Sequence, residues 1–275
     1  SVFVQQSGTV CDFSGSDSWV ILSPIEQSIK RKIEAVGTPL KDWDINIYRG
    51  VLTGCNEAFI ISTEKRDEIL ASCQSEDERK RTAELIRPIL RGRDIKRYGY
   101  EWANLWLINT HNGIKGKLER IHIEDYSAVK AHLDQFWDKI KDRADQGDTP
   151  YNLRNCAYLE EFMKPKIIYR EIGFEMDTCI APANWFVNNK LYLVTGDDIE
   201  YLLAFFNSKA FNKILLASAN LTGGKGVDFM EKVKVPREQN LMKAVQNTHD
   251  ERQIDALFND FFELTEAEKH FLSGD

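Results

Sequence analysis

Arg79 to Tyr98 reads RKRTAELIRPILRGRDIKRY, and the rest of the chain is best parsed outward from it. The stretch holds eight Lys or Arg (Arg79, Lys80, Arg81, Arg87, Arg91, Arg93, Lys96, Arg97) against two acids, Glu84 and Asp94. Its local balance is thus +6, within a chain of formal net charge −7. A solvated helix face is the ordinary reading of such a run, but two features oppose it. Pro88 predicts a helix stop near Arg87, because the ring removes a backbone donor and crowds the preceding turn. Arg91-Gly92-Arg93-Asp94 then reads as a turn, with Gly92 free to adopt positive φ and Asp94 able to bond nearby backbone. Arginines on a turn are expected to project outward and to build no core. A guanidinium there suits two-point contact with a phosphate or a guanine edge. On these grounds alone nucleic acid is the leading target.

Before this stretch, Ser23-Pro24-Ile25-Glu26 has the form of a capping box with Pro at the first helical position. Ile25, Ile29, Ile33 and Val36 supply an apolar stripe that Gly37 and Pro39 end. Alternation at Ile45 and Ile47, the turn-like GVLTG at 50–54 and Ala58-Phe59-Ile60-Ile61 predict a hairpin over 44–62. A charged helix is expected at about 64–72, and Leu105-Trp106-Leu107-Ile108 as a short buried strand. Tyr126, Val129, Leu133, Phe136, Trp137 and Ile140 have helical spacing and read as core. Asp145 to Pro150 is the best surface loop and a possible domain boundary. Lys166 to Arg170 reads as a strand. Trp185-Phe186-Val187 and Leu191 to Val194 predict a hairpin about Asn188-Asn189. Apolar helices follow at 199–206 and 211–217, then a Gly223-Gly224-Lys225-Gly226 loop. From Arg237 the chain has nine acids against four basic residues. Ile254, Leu257, Phe258, Phe261 and Phe262 line one helical face there, and Thr265 to Glu268 forms a second capping box.

The chain has 275 residues, enough for one large domain or two small ones. No apolar run approaches a membrane span, and no signal-peptide layout opens it. Five scattered cysteines without a C-x-x-C argue against a disulfide framework or zinc site and fit a reducing cytoplasm. The five histidines lack metal-ligand spacing. There is no G-x-S-x-G, and Gly223 to Gly226 lacks the spacing of a phosphate-binding loop. Nuclease chemistry has only Asp67, Glu78 and Lys80 to draw on, in a charged helical region with no strand to fix them.

Several stretches together resemble the TaqI-like C-terminal specificity domain, the target-recognition domain of adenine-N6 methyltransferases and of type IIG restriction-modification enzymes. Gly50 to Ile61 (GVLTGCNEAFII) is similar to that family's Gly-x-x-Thr-Gly-x-Asn-x-Ala-Phe block. Ile86 to Tyr98 (IRPILRGRDIKRY) is similar to its (K/R)-P-x-L-R-G-(K/R)-D-I-x-R-Y segment, the most specific match. Lys164 to Arg170 (KPKIIYR), Phe206 to Lys209 (FNSK) and the tail 254–268 resemble later blocks. In that tail DALFNDFF (255–262) replaces the family's Tyr- and Gly-containing run. The Asn-Pro-Pro-(Tyr/Phe) motif, the glycine-rich S-adenosylmethionine motif and the PD-(D/E)xK nuclease region of such enzymes are absent. The chain, which starts without Met, thus reads as the recognition part of a longer protein.

The resemblance implies an α+β fold, a mixed and mostly antiparallel sheet flanked by helices. Residues 1–236 would form the recognition domain, with a helical tail at 237–275 packed on it. Its expected partners are double-stranded DNA and the methyltransferase and nuclease domains of the parent chain, with no membrane. S-adenosylmethionine and Mg²⁺ would serve the parent, and no cofactor or catalytic residue is expected in this chain. Expected DNA contacts are Arg91, Arg93, Lys96 and Arg97, then Asn56, Lys166, Arg170 and Lys225. The rivals are a stand-alone Mg²⁺ nuclease using Asp67, Glu78 and Lys80, and a protein-interaction module working through the acidic tail.

Overall fold

Ser23 does what its sequence context dictates: its N–H donates to Glu26 at 2.7 Å while its hydroxyl accepts from the Glu26 N–H, and helix α1 (Pro24–Val36) begins. Ile29 and Ile33 on its stripe are fully buried, whereas Val36 at the end is exposed. The computed structural model describes residues 22–171, 176–217 and 226–274. Within it the chain forms two units that alternate along the sequence, one from 22–47, 170–171, 176–178, 196–217 and 226–274, the other from 48–169 and 179–195.

In the first unit, α1 is followed by β1 (Gly37–Pro39), which pairs antiparallel with β12 (Lys234–Pro236). A helix at Ile199–Asn207 and a π-helical turn at Phe211–Leu215 carry the rings of Phe205, Phe206 and Phe211 into the interior. Phe258, from the tail helix Glu251–Phe261, meets Phe205 at 5.3 Å and Tyr201 at 5.9 Å. Offset and edge-on ring contacts of this kind add specificity to ordinary apolar burial. The last helix, Glu266–Ser273, opens on the expected Thr265–Glu268 capping box. Glu268 also accepts from Ser28 Oγ and Lys32 Nζ, both at 2.7 Å, which ties the chain's end to α1. Residues 237–274 therefore belong to the same unit as 22–47, and their apolar face (Ile254, Phe258, Phe262) is buried within it.

The second unit is organised on a sheet of order β10-β4-β7-β3, with β3 Ile60–Ser62, β4 Ile86–Leu90, β7 Leu105–Ile108 and β10 Phe186–Val187. Strand β7 runs antiparallel to both β3 and β4, while β10 joins β4 in parallel. Pro88 lies within β4, opposite Trp106, before the pairing with β10 begins at Ile89. A strand paired on one side can tolerate the missing donor. Around this sheet lie helices at Thr63–Ala71, Glu76–Leu85, Ser127–Asp134 and Trp137–Ile140. Most of a second four-stranded sheet also falls in this unit, including residues 166–169 of β8 (Lys166–Arg170) and 191–195 of β11 (Leu191–Gly196). The α+β class, the mostly antiparallel pairing and the C-terminal helices match the sequence reading.

Four local expectations fail for stated reasons. The 44–62 hairpin does not form, because β2 (Ile45–Arg49) and β3 lie in different sheets. Gly50 is pressed so close to residues 187–188 that an added Cβ would sit 2.1 Å from the Asn188 carbonyl oxygen, and Asn56–Phe59 coils into a short helix. Asn188-Asn189 does turn the chain, with Leu191 N–H donating to Asn188 O at 2.9 Å, but β10 and β11 also go to separate sheets. The 126–140 stripe breaks into two helices at Gln135-Phe136, and Trp137 is 42% exposed. The 145–150 loop divides nothing, since it lies inside the second unit.

Candidate nucleic-acid interface

The basic stretch is spread over a helix, a strand and a hairpin. Arg79, Lys80 and Arg81 ride on the Glu76–Leu85 helix, where Arg79 pairs with Glu76 and Arg81 donates to Asp125 O. Glu78, on the same helix, is 6% exposed and accepts from Gln74 N–H, Ser127 Oγ and Ala128 N–H at 2.8 to 3.0 Å. Burial opposes its ionisation, but those donors outweigh it and hold its carboxyl below the usual range. Glu78 thus anchors the start of the Ser127–Asp134 helix and is not presented to a metal, which removes the nuclease constellation with Asp67 and Lys80. Among the described residues no group of three or more His, Cys, Asp or Glu gathers as a metal site.

After β4 the chain makes a 3-10 turn at Gly92–Asp94 and a tight hairpin, β5 (Ile95–Lys96) against β6 (Gly99–Tyr100). Asp94 is 4% exposed and organises the base of this hairpin. Its carboxylate accepts from the Arg91 N–H at 2.8 Å, from Arg91 Nε at 3.1 Å and from Arg91 Nη2 at 2.9 Å. Its carbonyl accepts from the Glu101 N–H at 2.8 Å. Charge-assisted two-point bonds of this kind fix geometry strongly. Arg91 therefore departs from the expectation of an outward, non-structural side chain: its Nε and Nη2 are spent on Asp94.

The remaining cations of the hairpin are presented to solvent. Arg93, Lys96 and Arg97 are all exposed. Arg93 makes no ion pair or hydrogen bond to a described side chain. Lys96 meets Glu101 at 3.6 Å, an exposed pair of little energetic consequence. The Arg97 guanidinium lies 5.5 Å from the Tyr98 ring centre. Arg97 and Tyr98 form the two-residue turn, and Tyr98 has φ of 58°, a left-handed value uncommon outside Gly, Asn and Asp. The hairpin is seated on aromatic rings: Tyr100 meets Trp185 at 5.3 Å, Trp185 meets Trp102 at 5.1 Å, and Trp102 meets Trp106 at 5.2 Å. The Arg66 guanidinium lies over the Trp106 ring, 4.2 Å from its centre. Neither this ring ladder nor Arg66 was singled out from sequence, since residues 66, 102, 106 and 185 share no local period.

The other expected contacts divide. Asn56 is exposed at the start of its short helix, with its Oδ1 accepting from Thr53 Oγ1 at 2.6 Å. The turn before it is held by Arg143, 6% exposed, which donates Nε to Thr53 O at 2.9 Å and stacks on Phe59 at 4.5 Å. Arg143 carried no sequence signal. Lys166 is a correction: it is fully buried, and its ammonium donates to Pro182 O at 2.9 Å and Trp185 O at 3.1 Å. Burial lowers its pKa to about 7. Such a side chain ties the 182–185 turn to β8 and cannot reach a duplex. Arg170, in the other unit, is half-buried and ion-paired with Asp177. Lys225 lies outside the described residues. The four cysteines within them (Cys55, Cys73, Cys156, Cys179) are free, and no helix among them is long and apolar enough to cross a membrane.

The family model of the TaqI-like C-terminal specificity domain matches residues 87–224, just over half of the chain, beginning at β4 and taking in the hairpin. The type II methyltransferase M.PaeR7I of Pseudomonas aeruginosa is 23% identical over 234 residues, covering 82% of this chain and 38% of that protein. Among solved structures, the type IIL restriction-modification enzyme MmeI in complex with DNA aligns with a TM-score of 0.55 at 10% identity, over 96% of this chain and 37% of MmeI. The type IIG restriction endonuclease BpuSI aligns with a TM-score of 0.54 at 14% identity, over 92% and 32%. At these identities the two structures show a shared fold. The chain spans less than two fifths of the length of each of the three.

Proposed function

Because the chain belongs to the TaqI-like C-terminal specificity domain family, we propose that it is the DNA-reading part of a type II restriction-modification enzyme or methyltransferase. Double-stranded DNA is its ligand, and the methyltransferase domain it serves, with any nuclease domain, is its covalent partner. S-adenosylmethionine and Mg²⁺ would act in those domains. The catalytic domain would extrude the target adenine while this chain holds the duplex. The observation that carries the reading is the 91–100 segment: Arg93, Lys96 and Arg97 are exposed on a 3-10 turn and hairpin whose base is locked by the Arg91–Asp94 fork. Phosphate contacts by such cations set register, and a few side chains, Asn56 among the candidates, read base edges.

The test is a salt titration of duplex binding by the purified chain and by a triple Arg93→Ala/Lys96→Ala/Arg97→Ala variant. Each lost phosphate contact should reduce the log–log salt slope by about 0.9, so the triple variant should lose roughly 2 to 3. With a net charge of −7 and only part of the enzyme present, the chain alone should bind weakly. Affinity on the order of 10⁻⁴ to 10⁻⁶ M at physiological salt is expected. An unchanged slope in the triple variant would remove the hairpin from the interface.

A further inference from the structure

Strand β2 ends at Arg49, and the next three residues run along the 187–191 turn. Gly50 N–H donates to Leu191 O and Val51 N–H to Val187 O, both at 2.8 Å. This backbone is one wall of a cavity of about 350 Å³ inside the second unit. The other walls come from Asn109–Gly113, just past β7, and from Leu153–Leu159. The volume falls within the usual span of small-ligand sites, roughly 300 to 1,000 Å³. None of the functional assignments above uses it.

The charged side chains among its lining residues are Arg49 and Arg154, and no Asp or Glu is among them. Arg49 Nε donates to Asn189 O at 2.9 Å, and Arg154 is paired at 3.0 Å with Asp145, an exposed pair of little energetic consequence that a phosphate can replace. The neutral polar groups are also biased toward donation. His111 Nδ1 accepts from the Gly113 N–H at 3.2 Å, and burial keeps the ring below its ordinary pKa. The neutral ring then carries its proton on Nε2. The Asn155 Oδ1 is taken by the Asn112 amide, which leaves the Asn155 amide nitrogen to donate. Tyr158, its ring stacked on Tyr48 at 4.3 Å, keeps its phenolic proton because burial pushes its pKa up to about 12. Val51, Leu52, Leu153 and Leu159 give the same cavity an apolar side. A donor-rich chamber with an apolar wall suits a compact anion carried on a flat or partly apolar body, with that anion taking the place of Asp145 on Arg154 while Asp148 stays bonded to Asn112.

We propose that this cavity is a nucleotide site, which takes a phosphate at Arg49 and Arg154 and the attached nucleoside against the Val51–Leu52 wall. In a DNA-reading chain the nucleotide would come from an extrahelical position of the bound strand or from free mononucleotide, so this inference rests partly on the function proposed above. Calorimetric titration of the purified chain with dAMP, dCMP and inorganic phosphate tests the chemistry. Saturable binding of a mononucleotide, about tenfold tighter than phosphate alone, is expected. Arg154→Gln, at an exposed position, should weaken it about tenfold with little change in melting temperature, and Asn155→Asp should do the same by placing an acceptor and a negative charge in the chamber. Duplexes with and without a one-nucleotide bulge assign the source. Tighter binding of the bulged duplex, lost in Arg154→Gln, assigns it to DNA, and equal binding assigns it to free nucleotide. Absence of saturable mononucleotide binding together with no preference for the bulge overturns the site, as does nucleotide binding that both variants leave unchanged. The hairpin triple variant separates the two proposals, since it should lose intact duplex yet keep mononucleotide.

Discussion

Replacing Arg91 and Arg93 one at a time by Ala separates a scaffold cation from a ligand cation two residues away. Arg91 holds the carboxylate of Asp94 by two side-chain bonds, at 3.1 and 2.9 Å, with only 4% of the Asp94 side chain exposed. Arg91→Ala leaves that carboxylate with the backbone N–H of residue 91 as its donor within the turn. Breaking a fully buried ion pair from one side costs about 3 to 5 kcal/mol. The Arg91 side chain is 19% exposed, so water replaces part of the lost interaction and about 2 to 3 kcal/mol is the reasonable range. For a chain of this size each kcal/mol moves the melting temperature by roughly 2 to 4 °C, giving a fall of about 4 to 12 °C. Arg93→Ala, at an exposed site with no described partner, should cost under about 0.5 kcal/mol. Differential scanning fluorimetry read beside the salt-dependent DNA titration gives both axes. Arg91→Ala should lower stability most, whereas Arg93→Ala should lower the salt slope by about 0.9 and leave stability alone. An unshifted melting temperature for Arg91→Ala would refute the structural role of the fork. An equal drop for Arg93→Ala would refute the division between them.

Gly50→Ala should be among the most damaging small substitutions, costing about 2 kcal/mol or more, because its Cβ would meet backbone atoms of residues 187–188 at 2.1 to 2.5 Å; thermal melts of the purified variant check it. Glu268 is buried, which by itself opposes ionisation, yet Lys32, the Thr265 N–H and the Ser28 hydroxyl hold it down to about 2. Its folded pKa is depressed, so its stabilisation is present above about pH 5 and fades as pH falls toward 2, and Glu268→Gln should flatten that part of a stability–pH curve. Lys166 is depressed too, but as a base: below about pH 7 the fold must bury its charge, and between about 7 and 10 the unfolded chain holds the extra proton. Stability should therefore rise with pH across that window, and Lys166→Met should remove the rise in denaturant melts run at several pH values.

Local chemistry was legible wherever it is decided within four or five residues. Ser23–Glu26 and Thr265–Glu268 cap their helices, Pro88 follows a helix end at Leu85, and Phe258 buries on the face its spacing implies. Pairing was not legible, because alternation says that a strand exists and says nothing about its neighbour. Hence Ile45–Arg49 and Ile60–Ser62 looked like the arms of one hairpin and went to two sheets. The same limit governed the cations. Charge counting grouped Arg91 with Arg93 and Lys166 with Arg170, since identical side chains carry identical formal charge. What separates them is desolvation: Arg91 sits beside a 4%-exposed carboxylate, and Lys166 lies in a strand buried on both faces. A cation that leaves water during folding must spend its hydrogen bonds on the protein, as Lys166 does on Pro182 O and Trp185 O. A cation that stays hydrated, such as Arg93, keeps its donors available to a ligand. On the proposed function the segment would combine two jobs within seven residues: the Arg91–Asp94 pair stiffens the hairpin base, and that stiffness would lower the entropy lost when the exposed cations beyond it settle on a ligand.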